Sequence, residues 1–581
     1  MFKRFNLRFQ LKEPRPNLST PIDFTEPVLQ INSQQEIQQF TPALKQILAY
    51  EFDLGESASR LCPVLLADQT VVIFSVAEQS AGDAMQALAT RIQQQGYSLA
   101  RPMRYILSVA LLLELIRDPD LQPDAVVQFA MSHAAPWSQA DLFNAFLDIV
   151  RWGVQNNASD IHINIFTDQN FSEVRFSIAG RYICPAKYQG ISTRFLHDVL
   201  SVAWMNIRGG NGAVFDPYKE QQGSLACDID GQNIMLRWGA LAAEFGPSVC
   251  LRILKRDSEQ RLPTLAQLGY LPVQQRWLEQ ALASDGGAIV FSGAVGSGKS
   301  TTLAVMVAAL PNWRKVISIE DPVEYLIPNA VQVSLSRDLN EEAHDAFATK
   351  LRALKRSAMS DVLLGEIRDV ETGRAFTDLA SSGVRLYTTV HASSATLVPA
   401  RLHSDFIGVS LDLLASPGVL RLIVHQCLLP KLCNHCAIPL LSLTAFPTTI
   451  ETHFYKNLSF EQWLQRLEQL LSSAGLAAVR VRNADGCERC KQSELEELKG
   501  WDGRVVCAEV LDPSLLPGFL NHLNEPAQLQ HFLHTAKWPD IRSSALMQCQ
   551  LGVIDPFDVE ANFALFDAPI WNYVHLEALY A

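Results

Sequence analysis

Eight residues constrain this chain more than any others. Gly293-Ala294-Val295-Gly296-Ser297-Gly298-Lys299-Ser300 fits the pattern G-x-x-x-x-G-K-[ST] at every fixed position. The apolar run AIVFS precedes it and the helix-forming run TTLAVMVAAL follows it. A strand that turns through such a loop into a helix belongs to a parallel sheet. The glycines let successive backbone N–H groups turn inward around a phosphate. The helix N-terminus adds positive potential at the same point. Lys299 is expected to reach the β- and γ-phosphates and Ser300 to bind Mg²⁺, with Gly293, Gly296, Ser297, Gly298 and Thr301 completing the cradle. The motif alone does not separate an ATPase from a GTPase or a kinase.

The chain around the loop, residues 261–425, alternates short apolar strands with helical segments. AIVFSG, KVISIED, VLLGEIRD and LYTTVHA each end in polar residues. This pattern predicts a doubly wound parallel sheet, whose ligands bind at the carboxyl ends of the strands. Three of those ends carry chemistry. In VLLGEIRD, Glu366 stands where a carboxylate facing a Mg²⁺ shell is needed. ISIEDPVEY places Glu320, Asp321 and Glu324 within five residues. One of them could orient an attacking water, or the segment could be a plain turn. YTTVH ends in His391, which is either structural or functional on this information.

With 581 residues the chain is too long for one core, and three or four domains are expected. Residues 1–135 carry no catalytic motif and read as a separate N-terminal domain, with helix-like patterns near 80–97 and 104–117. Residues 136–260 run from a helical stretch, Gln139–Asn156, into the strand-like SDIHINI, VRFSI, MLRWGAL and SVCLRIL. They predict an α+β domain with helices on one face of a sheet. Residues 426–510 hold two Cys pairs, and 511–581 a helical tail.

The longest apolar stretch, Tyr105–Ile116, is too short to span a bilayer and reads as a buried helix. The opening MFKRFNLRFQ lacks the pattern of a signal peptide. A soluble protein inside the cell is therefore expected. The formal charge of −13 argues against a general nucleic-acid binder, which would need a basic stripe.

Eleven cysteines in such a chain argue against a disulfide framework. Cys433-x-x-Cys436 and Cys487-x-x-Cys490 supply four thiolates, which suits tetrahedral Zn²⁺. The span between the pairs is longer than in a simple zinc finger, so four unrelated cysteines stays the alternative. An amphipathic helix, Phe460–Ser473, is expected between them.

In this order, the motifs from about Ser159 onward resemble the type II secretion and type IV pilus assembly ATPases. The resemblance covers roughly three quarters of the chain and rests on four boxes: the loop 293–300, IEDPVEY at 319–325, LLGEIRD at 363–369 and TTVHASSA at 388–395. It implies an α/β fold with a P-loop (RecA-like) core, an α+β (PAS-like) second N-terminal domain, a separate partner-docking N-terminal domain and a zinc-bearing C-terminal module. It implies that Glu324 is the catalytic glutamate, that Glu366 serves an atypical Mg²⁺ position and that His391 senses the γ-phosphate. Arg237 and Arg252 resemble arginines sent to a neighbouring subunit's nucleotide; surface strand arginines are the alternative.

The tetracysteine module, followed by GWDGR at 500–504, resembles that of assembly rather than retraction motors. The implied protein is a cytoplasmic homo-hexamer that hydrolyses ATP with Mg²⁺, carries Zn²⁺ and acts on an inner-membrane platform protein and, through it, on pilin subunits. The sequence departs from the family at Gly383-Val384, at Ala358-Met359-Ser360-Asp361 and in Pro217–Gly223. Two rivals remain at this stage: a DNA-transfer or DNA-uptake motor of the same superfamily, and a nucleotide-binding scaffold that does not hydrolyse.

Overall fold

The computed structural model describes residues 24, 26, 28–48, 52, 60–116, 138–256, 262–335, 343–447, 458–471, 473–490, 495–563 and 566. Two Pro-rich stretches, 11–17 and 117–124, lie outside them. Contacts group the chain into two compact units that divide near residues 232–254.

The first unit begins with a five-stranded sheet, in the order Leu29–Gln30, Ser98–Ile106, Thr70–Ser75, Leu61–Leu66, Leu44–Ile47. The two strands LCPVLL and TVVIFS are buried almost throughout, so they read as continuous apolar runs rather than alternating ones. A helix covers each face. Asp83–Gln94 packs Met85, Leu88 and Ile92 with Val71 and Ile73, and Val109–Ile116 packs Leu111, Leu112 and Leu115 with Val72 and Phe74. The single helix expected over Tyr105–Ile116 is thereby corrected. Tyr105 and Ile106 finish a strand, paired with Leu29–Gln30 on one side and Phe74–Ser75 on the other. Pairing partners distant in sequence override the local apolar pattern there.

The unit continues with a mainly antiparallel sheet in the order Gln221–Ile229, Gln232–Ala243, Gly246–Lys255, Asp160–Asn164, Phe171–Ile178, Arg181–Ile183. The strand Phe171–Ile178 alternates exposed or half-buried residues with buried ones along its length, the mark of a sheet covered on one face. The helices Gln139–Gln155 and Thr193–Trp204, capped by Ser138 and Ser192, supply the cover. Among the described residues, no helix is long and apolar enough to cross a membrane.

The second unit is built on a seven-stranded sheet. Its strands in chain order are β1 (Gly287–Ser292), β2 (Val316–Glu320), β3 (Ala330–Ser334), β4 (Asp361–Leu364), β5 (Arg385–Val390), β6 (Leu420–Leu432) and β7 (Trp501–Leu511). In space they run β3-β2-β4-β5-β1-β6-β7. Pairing is parallel from β3 to β6, and β7 closes the sheet antiparallel to β6. Helices α1 (Pro272–Ala283), α2 (Lys299–Ala308) and α3 (Val370–Ala380) join this core. β1, β4 and β5 are fully buried strands, as a sheet covered on both faces requires.

Beyond the core sheet, α4 (Phe460–Leu470) and α5 (Ile541–Gln550) pack in a satellite cluster with Cys507 and Leu429. Helix α4 stops at Leu470, short of the expected Ser473, because Leu471 is extended. Its Trp463 is buried, and the indole N–H donates to Glu560 at 2.8 Å.

Candidate functional site

Strand β1 feeds the glycine loop, and α2 begins at Lys299 with Gly298 as its N-cap at φ 84°. Two glycines are obligatory here. Gly298 occupies the left-handed region, and a Cβ on Gly293, at φ 146°, would stand 2.3 Å from the Gln426 carbonyl oxygen. The Lys299 ammonium donates to the carbonyls of Gly293 and Ala294, both at 2.8 Å. Burial pulls its pKa down, while the charges of Glu366 and then Glu324 pull the other way. Ser300 and Thr301 lie in the first turn of α2.

Topology decides what surrounds this loop. β5 lies between β1 and β4, and β2 flanks β4. Ser292 pairs with Val390, Leu364 with Thr388 and with Ile319, so the four strands end near one level. Glu366 sits two residues past β4 and His391 one past β5. The turn holding Glu366 is tied to both neighbours: Gly365 N–H donates to Ile319 at 2.9 Å, Ile367 N–H to Thr389 at 2.8 Å, and the Thr389 hydroxyl to the Gly365 carbonyl at 2.8 Å. Asp369 then caps α3 by accepting from Thr372 N–H at 2.9 Å.

His391 joins two of the motifs. Its Nδ1 lies 3.2 Å from the Gly293 carbonyl, and its Nε2 lies 3.1 Å from Glu366 Oε1. Both side chains stay accessible to solvent, at 44% and 32%.

The structure separates the three carboxylates of the β2 segment. Glu320 accepts from the Ser318 hydroxyl at 2.5 Å and from Gln332 at 3.1 Å, and burial pushes its pKa up. Asp321 pairs with Arg368 at 3.2 Å. Glu324 is partly buried, and its charge acts on Lys299. Its neighbours are fixed: the Tyr325 and Thr301 hydroxyls meet at 2.8 Å, and Arg256 donates to the Val323 carbonyl at 2.8 Å. Of the three, Glu324 is the carboxylate whose charge bears on Lys299.

Residues the sequence reading passed over lie behind the loop, on β6. His425 Nδ1 stands 3.0 Å from the Ser292 hydroxyl; burial, and then the Lys299 charge, lowers its pKa to about 4. Gln426 is fully buried and donates to the Ser297 carbonyl at 2.7 Å. No motif marks them, since only the pairing of β6 against β1 brings them there. From β7, Arg504 reaches the Gly296 carbonyl at 3.5 Å.

Arg237 and Arg252 belong to the other compact unit. Arg237 is exposed on its strand between the buried Leu236 and Trp238. Arg252 lies directly across from Asp160 and pairs with it at 3.0 Å.

The four cysteines of the two pairs converge. Their sulfurs lie within 4.8 Å of one another, with Cys433–Cys487 at 3.8 Å and both Cys436–Cys490 and Cys487–Cys490 at 3.7 Å. Four sulfurs about 2.3 Å from a tetrahedral ion would stand ~3.8 Å apart, close to these three separations, so the donor set suits zinc. The Cys490 sulfur accepts from the N–H groups of Cys487 at 3.0 Å and Gly500 at 3.3 Å. N–H groups of Cys490 and Arg489 lower the Cys487 thiol pKa to about 7, toward the thiolate a metal takes. His435 faces Arg489 instead of the sulfurs. Cys433 directly follows β6 and Gly500 directly precedes β7, so the strand pair fixes the spacing of the cluster.

Residues 140–557 match the family described as "Type II/IV secretion system protein". The type IV pilus assembly ATPase PilB of Thermus thermophilus is 29% identical over 364 residues, covering 62% of this chain and 36% of the relative. The putative type II secretion system protein E of Escherichia coli is 27% identical, covering 67% and 71%. The type II secretion system protein E of Klebsiella pneumoniae is 30% identical, covering 49% and 54%. The chain thus spans little more than a third of the Thermus relative and about half of the Klebsiella one.

Proposed function

The chain belongs to the type II/IV secretion system protein family, and on that premise we propose that it is an ATP-hydrolysing hexameric motor that powers extension of a type IV pilus or a type II secretion pseudopilus. One observation carries the proposal: His391 ties the phosphate loop to Glu366 at the ends of adjacent strands, with Glu324 close enough to act on Lys299. A nucleotide-binding loop alone would not need those side chains.

ATP would lie on Gly293, Gly296, Ser297, Gly298, Lys299, Ser300 and Thr301. Lys299 would leave the loop carbonyls for the β- and γ-phosphate oxygens, which carry more charge. Magnesium, held through Ser300 and Glu366, would neutralise charge on those phosphates. Glu324 would hold the attacking water in line with the γ-phosphorus and accept its proton. His391, already bonded to the loop and to Glu366, would report the γ-phosphate to both. Arg237 and Arg252 would stabilise charge developing on the γ-phosphoryl of a neighbouring subunit's nucleotide. For Arg252 this requires exchanging Asp160 for phosphate, an exchange favoured by charge.

The residues near 136–260 would form the PAS-like second N-terminal domain, and residues 1–135 the partner-docking domain. Zinc on Cys433, Cys436, Cys487 and Cys490 would be structural, since four sulfurs leave no open position. Relatives named type IV pilus assembly ATPase and type II secretion system protein E support the pilus or pseudopilus reading. The partner would be an inner-membrane platform protein, with pilins moved indirectly and the motor held at the cytoplasmic face through it.

The test is Mg²⁺-dependent phosphate release by the purified protein beside Glu324→Gln and Lys299→Ala, each with its mass from light scattering. Turnover by a hexamer, lost in both variants, is expected. ATP binding without phosphate release in any oligomeric state, even with a membrane partner present, would replace the motor with a nucleotide-binding scaffold.

A further inference from the structure

Strand β6 presents the polar side chain of Gln426 to the underside of the phosphate loop. Gln426 is fully buried, and its amide is held at both ends. Nε2 donates to the Ser297 carbonyl at 2.7 Å, and Oε1 accepts from the Tyr270 hydroxyl at 2.6 Å. The orientation is forced: a carbonyl only accepts, so the NH₂ end must face Ser297 and the oxygen must face the phenol. Tyr270 is 2% exposed, and its hydroxyl also lies 3.4 Å from Thr302, which donates to the Gly298 carbonyl at 3.3 Å. Gln426, Tyr270 and Thr302, from separate parts of the chain, therefore converge on Ser297 and Gly298.

Backbone packing adds to the hydrogen bonds. The Gln426 backbone carbonyl oxygen lies 2.3 Å from the Cβ position of Gly293, and its side-chain Nε2 stands 3.3 Å from that of Gly298. One residue of β6 thus touches the loop at both ends. Each peptide is planar, so holding the Ser297 carbonyl fixes the direction of the Gly298 N–H, one of the donors that face the phosphate side of such a loop.

We infer that Tyr270 and Gln426 are positioning residues for phosphate binding: Tyr270 sets the amide of Gln426, and Gln426 sets the peptide planes of the loop. The inference rests on the nucleotide reading above. A buried pair that served stability alone would leave nucleotide affinity unchanged in any variant that folds. A positioning pair changes affinity in proportion to lost loop geometry.

The test compares wild type with Gln426→Met, which keeps length but removes both hydrogen bonds, with Tyr270→Phe, which removes only the phenol hydroxyl, and with the double variant. Mg-ATP dissociation constants are measured by titration calorimetry, with a thermal melt of each protein. Gln426→Met should weaken Mg-ATP binding on the order of tenfold, the scale of one lost buried hydrogen bond. Tyr270→Phe should weaken it by a smaller factor. In the double variant Tyr270→Phe should add nothing, because there is no amide left to orient. Wild-type affinity in a folded Gln426→Met or Tyr270→Phe overturns the inference while the motor reading stands. Independent, additive losses also overturn it. If Gln426→Met does not fold, Tyr270→Phe decides by itself. A wild type that binds no Mg-ATP removes the nucleotide reading and this inference with it.

Discussion

His391 Nε2 lies 3.1 Å from Glu366 Oε1, and the same ring reaches the Gly293 carbonyl through Nδ1 at 3.2 Å. A carbonyl can only accept, so Nδ1 carries hydrogen and Nε2 is the atom turned to the carboxylate. The imidazole is a bridge between the first residue of the phosphate loop and the acidic residue of the next strand but one.

Removing the bridge should slow turnover more than it weakens binding. His391→Ala is expected to lower kcat on the order of a hundredfold, the scale for one oriented polar group at a transition state, with KM for ATP changed only a few-fold. Steady-state phosphate release as a function of ATP measures both. An unchanged kcat would remove His391 from the site.

A buried network lies at the opposite end of β4. Asp361 is fully buried and meets Arg314 at 2.6 Å, Arg385 at 3.7 Å and the Tyr387 hydroxyl at 3.1 Å. Asp361→Ala strands two guanidinium groups, one of them fully buried. It should cost about 3–5 kcal/mol in urea unfolding. A loss below about 1 kcal/mol would mean that water or a shifted side chain replaces the carboxylate.

Glu509 on β7 is buried, and burial, with Asp540 nearby, raises its pKa to about 8, although it accepts from the Ala395 N–H. The unfolded chain releases this proton near pH 4.5, and the folded chain keeps it until about 8. Stability therefore falls as pH rises between those values and levels off above them. Glu509→Gln keeps an acceptor for Ala395 and has no charge to bury. It should gain roughly 3 kcal/mol at pH 7 and almost nothing at pH 4, read from melts at both values. An equal effect at both pH values would count against the burial of an ionisable group here.

The cysteine cluster joins the ends of β6 and β7, so metal loss should loosen the satellite core around Trp463. Purified protein is expected to carry about one zinc ion per chain, and Cys436→Ser with Cys490→Ser should remove it and lower the melting temperature. Elemental analysis with a melt in the presence of a strong chelator is the check. Protein free of metal whose melt ignores the chelator would leave four thiols without that role.

Much of the core was legible because its signals are local. AIVFS before the glycine loop, VLLG before Glu366 and LYTTV before His391 are short, largely apolar runs, and each became a fully buried strand with the loop, Glu366 or His391 following within two residues of its end. β6 and β7 were not seen as part of that sheet. Their residues follow the domain in sequence, and only the antiparallel pairing of Cys427 with Cys507 and His425 with Glu509 brings them together. Tyr105–Ile116 misled for a related reason: an apolar run has the same composition whether it continues a helix or ends a strand.

Chemistry that depends on backbone form alone could be read from the order of residues. The glycines, Lys299 and Ser300 stand together in one short loop and the helix turn after it, and the spacing of the two C-x-x-C pairs pointed to four sulfurs that the fold brings together. Contacts between segments far apart in the chain had to wait for the fold. Which of Glu320, Asp321 and Glu324 is spared from structural hydrogen bonds was decided by Ser318, Gln332 and Arg368. That His391 meets Glu366 follows from β5 lying beside β4, and that Gln426 underlies Ser297 follows from β6 lying beside β1. Strand order is set by how buried faces pack against one another over the whole domain, and no short stretch of sequence carries that information.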